Sequence, residues 1–256
     1  MSSLCFIHNN YSRLPPDVRI SGDAKCTPGA PLHHFAYFLH YGVSPTGPYH
    51  TVSGHEHGDG LTSHLLMQHA LHWFRESVHG TLTPGSPRPP ILVVYSSLAW
   101  DLGRRMEHFR EQPSEAWLHE YRHNYSAAVR SLRGHLHPNE HLLLVADYGC
   151  EHAEGGSDSF CARWGATVAH DAADAVESVG KSLGIPVVNL EASFRPRLKG
   201  LLERQPASPK GTYYYMHPNL KGACAFWHAI RTVVDPGVVT PPAPACARID
   251  LERDAN

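Results

Sequence analysis

Ile91-Leu92-Val93-Val94-Tyr95-Ser96-Ser97-Leu98-Ala99-Trp100-Asp101 is the stretch whose reading decides the fold. Its first five residues form an unbroken apolar run with β-branched and aromatic side chains, which predicts a strand buried on both faces of a parallel sheet. The chain then turns polar at Ser96-Ser97, as at a strand end. A parallel strand needs a long crossover before its neighbour, usually a helix. The sequence supplies one on each side. Downstream, Ser114 is a candidate N-cap for a helix in which Trp117, Tyr121, Tyr125, Ala128 and Leu132 keep the helical period. Residues 142–146 then supply another apolar strand.

The alternation continues toward both ends. Cys161, Trp164, Val168, Ala172, Ala175, Val179 and Leu183 mark a long helix closed by Gly184, and residues 185–190 the next strand. Leu220, Ala223, Cys224, Trp227, Ile230 and Val234 predict a closing helix. Upstream, the Pro/Gly-rich stretch TPGSPRPP ends a helix carrying Leu66, Ala70, Phe74 and Val78. Residues 49–53 give a weak strand, and residues 31–41 a helix with Leu32, Phe35, Ala36 and Leu39 on one face. Val18 and Ile20 open the series and run into the turn Ser21-Gly22-Asp23. Five βα units in order predict an α/β fold, a three-layer α/β/α sandwich around a five-stranded, mainly parallel sheet. The domain spans residues 17–235, with an N-terminal extension over 1–16 and a Pro-rich, flexible tail over 236–256.

Composition narrows the function classes. The chain has 256 residues, 42% of them hydrophobic, enough for one substantial core. A net charge of −2 and no basic run argue against nucleic acid as partner. No apolar stretch approaches the roughly 20 residues that span a bilayer, so no membrane helix is expected. The first residues lack the pattern of a signal peptide, which predicts a cytoplasmic protein. Six cysteines without CxxC spacing read as free thiols. The 21 histidines are spread along the chain, and no cofactor is expected.

Ligand sites in open parallel sheets lie at the carboxyl ends of the strands. Three segments there are chemically distinctive: Gly22-Asp23-Ala24, Ser97 to Asp101, and Tyr214 to Asn219. Gly22-Asp23, Trp100-Asp101-Leu102 and His217-Pro218-Asn219 resemble the spaced sequence blocks of the SGNH (GDSL-type) hydrolases. HPNLKGACAFWHAI resembles that family's last helix with its leading HPN, and VVYSSLAWDL looks like the third block of its PC-esterase and trichome-birefringence-like branch. The resemblance covers roughly residues 17 to 235. It implies a small-molecule or carbohydrate ester as ligand. It also implies a Ser nucleophile after Gly-Asp, a His base oriented by an Asp three residues earlier, and an oxyanion hole.

Carried over position by position, the nucleophile falls on Ala24, which cannot attack an ester, and the orienting acid on Tyr214. The side-chain oxyanion donor falls on Trp100, and the oxyanion Gly on Gly54. His217 remains as the catalytic candidate, with Gly22, Asp23, Ala24, Gly54, Ser97, Trp100, Asp101, Tyr214 and Asn219 around the expected pocket. A substitute nucleophile has candidates in Cys26, Ser53, Ser96 and Ser97. Asp147 or Glu151 is a candidate to orient His217, against the plainer reading of each as a solvated loop carboxylate. Asp101 reads as structural, a carboxylate that caps a helix and holds loops.

Three classes follow: an ester hydrolase with a degenerate triad, a catalytically silent homologue that keeps the pocket, and a metal-dependent hydrolase. The third rests on His55-Glu56-His57-Gly58-Asp59, which approaches an HxHxD metal motif, with His55, His57 and Asp59 as ligands. Its next position, Gly60, is not the histidine that the motif requires.

Overall fold

The computed structural model describes residues 4–6, 33–35, 42–43, 68, 71–72, 74–76, 90–98, 101, 114–148, 151–154, 166–206 and 213–234. Its centre is a three-stranded parallel sheet of β3 (Ile91–Tyr95), β4 (Glu140–Ala146) and β6 (Val187–Asn189), in that spatial order. Val94 lies opposite Leu143, and Leu144 opposite Val187. The β3 and β4 strands are joined through helix α1 (Glu115–Gly134), and β4 and β6 through helix α2 (Ala166–Leu183). The fold is therefore α/β, with a parallel sheet of three strands among the described residues.

Alternation along β4 divides the core. Leu142, Leu144 and Ala146 pack with Trp117, Tyr121, Tyr125, Val129 and Leu132 of α1 and with Ala169, Ala172, Val176 and Val179 of α2. Leu143 and Val145 point the other way, into a second cluster with Val188, Phe194 and Phe226. Phe226 belongs to helix α5 (Leu220–Val234) and Phe194 to the short helix α3 (Leu190–Phe194). Each buried leucine or valine contributes about 1.5–3 kcal/mol relative to exposure. The β3 strand departs from the sequence expectation of burial on both faces. Val93 and Tyr95 pack toward α1, whereas Leu92 and Val94 stay 38% and 42% exposed.

Local chemistry sets the helix limits. Ser114 has extended backbone and its hydroxyl accepts the Trp117 N–H at 3.2 Å, while Glu115 sits favourably in the first turn of α1. At the end of α2, Gly184 takes φ +64°, a left-handed conformation that suits glycine. The Gly184 N–H donates to Lys181 O, and the Ile185 N–H to Gly180 O at 2.9 Å, which makes the paired bonds of a Schellman stop.

A second sheet is antiparallel, ordered β5 (Glu151–Glu154), β8 (Tyr213–Pro218), β7 (Leu202–Pro206). The short helix α4 (Leu198–Leu201) leads into it. A third sheet pairs β1 (Leu4–Phe6) with β2 (His33–Phe35) in parallel. This corrects, at His33–Phe35, the helix expected over residues 31–41, whose other residues lie outside the described ones. Four apolar residues spaced for a helix face carry too little propensity to resist pairing with another strand. The strands expected near Val18 and over residues 49–53 lie outside the described residues. The free-thiol reading also fails at Cys224, which is disulfide-bonded. None of the described helices is long and apolar enough to cross a membrane.

Candidate functional site

The carboxyl ends of β3 and β4 bring two serine–aspartate pairs together. Past β3, Ser97 is 2% exposed and Asp101 5%. The Ser97 hydroxyl donates to Asp101 Oδ2, and the Val43 N–H donates to Asp101 Oδ1 at 2.8 Å. Gly42, just before Val43, has φ +99°, and a Cβ there would come 2.5 Å from Asp101 Oδ1. The carboxylate thus clamps the chain at residues 42–43 against the turn after β3, and only glycine lets the backbone come so close. This agrees with the loop-holding role expected of Asp101. Burial is the dominant influence on this carboxyl and pushes it up to about 7, against the lowering effect of the Ser97 and Val43 hydrogen bonds.

The second pair lies nearer the surface. Ser96 and Asp147 are both half-buried, and the Ser96 hydroxyl donates to Asp147 Oδ2. This bond ties the end of β3 to the end of its neighbour β4. Burial pushes Asp147 up to about 6, with the Ser96 bond acting in the opposite sense. Tyr148 follows, its ring 4.9 Å from that of Phe226 on α5.

Beneath these pairs runs an aromatic ladder. Trp117 stacks on Tyr121 at 5.3 Å between centroids, Tyr121 meets Tyr125 at 5.6 Å, and Tyr125 meets Tyr95 at 5.4 Å. Burial raises all three phenols well above their ordinary value, and the Asp101 charge adds to the effect on each. The Tyr121 and Tyr125 hydroxyls are fully enclosed and find no hydrogen-bond partner among the described residues.

Asn219 works as a helix cap. Its Oδ1 accepts the Gly222 N–H at 2.9 Å, and its Nδ2 donates to Gly200 O at 3.0 Å and Leu202 O at 3.3 Å. The Asn219 N–H also donates to Leu201 O at 3.0 Å. One side chain therefore starts α5 and fastens it to the junction of α4 and β7. Directly before it, Tyr214 and His217 lie on β8, where Tyr214 is opposite His152 of β5 and Gln205 of β7. Between Arg204↔Tyr215 and Leu202↔Pro218, β8 runs one residue longer than β7, a bulge at Met216-His217.

Among the expected pocket residues the structure brings Ser97 and Asp101 into contact and puts Asn219 at the start of α5. Gly22, Asp23, Ala24, Gly54 and Trp100 lie outside the described residues, as do His55, His57 and Asp59. Among the described residues no three His, Cys, Asp or Glu side chains gather as a metal site. In the sequence Ser96 and Asp147 are separate candidates; only adjacency of the two strands shows that they pair. No protein-family model matches the chain, no curated protein matches it in sequence, and no solved structure matches its fold.

Proposed function

We propose that the chain is an SGNH-like hydrolase-fold protein that acts on a small or carbohydrate-borne ester at the carboxyl edge of its parallel sheet. The observation that carries this reading is the meeting of Ser96, Ser97, Asp101 and Asp147 at the ends of two adjacent parallel strands, where α/β folds place their ligands. The order β3-β4-β6 follows chain order, as in the later half of a flavodoxin-like sheet. On this reading the two upstream units complete a five-stranded, three-layer sandwich, and Gly22 and His217 complete the site.

The family's own chemistry is not retained in full. With Ala24 and Tyr214 in place of nucleophile and acid, any turnover has to come from a rearranged set of groups. Those same two substitutions favour a second reading, a silent homologue that keeps the pocket for binding. Turnover of a small activated acetate ester by purified protein, with metal content measured on the same sample, separates the readings. Hydrolysis above background supports the enzyme. Its absence favours the silent homologue, and stoichiometric zinc lost in a His55→Ala variant favours a metal-dependent hydrolase.

A further inference from the structure

The two serine–aspartate pairs differ in one respect that matters for chemistry. Ser97 and Asp101 are sealed and hold the Gly42-Val43 backbone, so neither can meet a substrate without breaking the loop they anchor. Ser96 and Asp147 are half-buried, less enclosed than the first pair. Their hydroxyl-to-carboxylate hydrogen bond has the donor and acceptor sense that a base-activated nucleophile needs. Each sits on the first residue past its strand, so two rigid neighbouring elements set their separation.

We propose that Ser96 is the nucleophile of this site and Asp147 its general base, replacing the residue lost at Ala24. The proposal rests on the ester-hydrolase reading above. Asp147 takes the hydroxyl proton as Ser96 Oγ bonds to the ester carbonyl carbon. The bond to the leaving oxygen then breaks, and that oxygen receives the proton from Asp147. Water, deprotonated by Asp147 in turn, attacks the acyl-serine; the acyl–Oγ bond breaks, Asp147 returns the proton to Ser96 Oγ, and the carboxylic acid leaves. The groups facing Asp147 are the Ser96 hydroxyl on β3, the Tyr121 and Tyr125 phenols on α1, and the adjoining Tyr148. Desolvation in these surroundings places the carboxyl at about 6, so that it is ionised at neutral pH yet close enough to accept a proton usefully.

The test treats the full chain with a fluorophosphonate probe and with an activated acetate ester, and maps any label by peptide mass. The expected result is one label, on Ser96, with a rate that climbs through an inflection near pH 6. Ser96→Ala loses the label and at least about 100-fold in turnover. Asp147→Asn leaves the serine in place, slows both reactions by a similar factor and removes the inflection. It serves as the second variant if Ser96→Ala fails to give a wild-type melting curve. Ester turnover that survives undiminished in folded Ser96→Ala, or a label on a different serine, overturns this assignment and leaves the hydrolase reading standing. Neither label nor turnover in the wild-type chain overturns both.

Discussion

Replacing Asp101 by asparagine tests the energetic account of the buried clamp. The carboxyl is displaced from its ordinary 3.8 to about 7, because burial penalises its charge more than Val43 and Ser97 compensate. Below pH 3.8 both folded and unfolded chains hold the proton. Between 3.8 and about 7 the folded chain keeps a proton that the unfolded chain has released, so each rise in pH favours unfolding. At about 1.4 kcal/mol per pH unit the full displacement corresponds to about 4 kcal/mol, all of it lost above neutrality. An amide keeps the acceptor for Val43 N–H and has no charge to bury. Urea unfolding at intervals from pH 4 to 8 should therefore show Asp101→Asn gaining on wild type as pH rises, by up to about 4 kcal/mol, and then a plateau. A difference that stays constant with pH, or a variant that loses most at pH 8, would refute the reasoning. Asp101→Ala shows the same gain with pH, offset at every pH by the loss of the acceptor for both donors, about 1–3 kcal/mol each.

Three further outcomes follow from the packing. Asn219→Ala removes the cap of α5 and both Nδ2 bonds, and should lower unfolding free energy by about 1–3 kcal/mol, with Asn219→Asp recovering the cap but not the tie to Gly200 and Leu202. Arg75 donates to both Glu140 oxygens and, at 2.7 Å, to His135 O; Arg75→Ala leaves a carboxylate only 4% exposed without its cation and should cost about 3–5 kcal/mol in chemical denaturation, while Arg75→Lys recovers only part. Tyr125→Phe removes an enclosed hydroxyl with no partner among the described residues and should leave the melting midpoint unchanged or raised; a loss of more than about 1 kcal/mol would show that the hydroxyl is bonded.

What the sequence made legible has a physical boundary. The central strands announce themselves as apolar runs: burial forces that composition on β4, whereas in β3 the run includes the exposed Leu92 and Val94. The helices α1, α2 and α5 keep a 3.6-residue period over several turns, and the limits of α1 and α2 carry Ser114 and Gly184. The strands β5 and β7, by contrast, read EHAE and LERQP, polar segments with neither an apolar run nor alternation. Their pairing with β8 comes from tertiary context, which a local pattern does not encode. The same limit applies to the site. Asp101 was legible as a structural carboxylate because it follows a strand end. The pairing of Ser96 with Asp147 was not, since 51 residues separate them and only the register of β3 on β4 makes them neighbours.

The carboxyls at the two ends of β4 are displaced in opposite directions, and this gives the chain an unusual dependence on pH. At its amino end, burial alone would raise Glu140, but Arg75 and the His137 N–H hold the carboxyl below its ordinary 4.5. Its stabilisation is present above that value and lost as pH falls through the lower, folded one. At the carboxyl end Asp147 is raised to about 6, and Asp101, past the end of the neighbouring β3, to about 7, so their contributions are present at low pH and lost as pH climbs. A strand end held by an ion pair is built for stability. One where two carboxyls are desolvated without a cation among the causes of either shift is destabilised at neutral pH, a feature that clusters at functional sites. Together the three groups favour the folded chain most on the acid side, below the ~5–8 common among proteins. Replacing both Asp101 and Asp147 by asparagine removes the two contributions that favour acid and should move the pH of maximum unfolding free energy upward. An optimum that stays where it is in wild type would mean that both carboxyls titrate normally, and that the sheet's carboxyl edge stores no such cost.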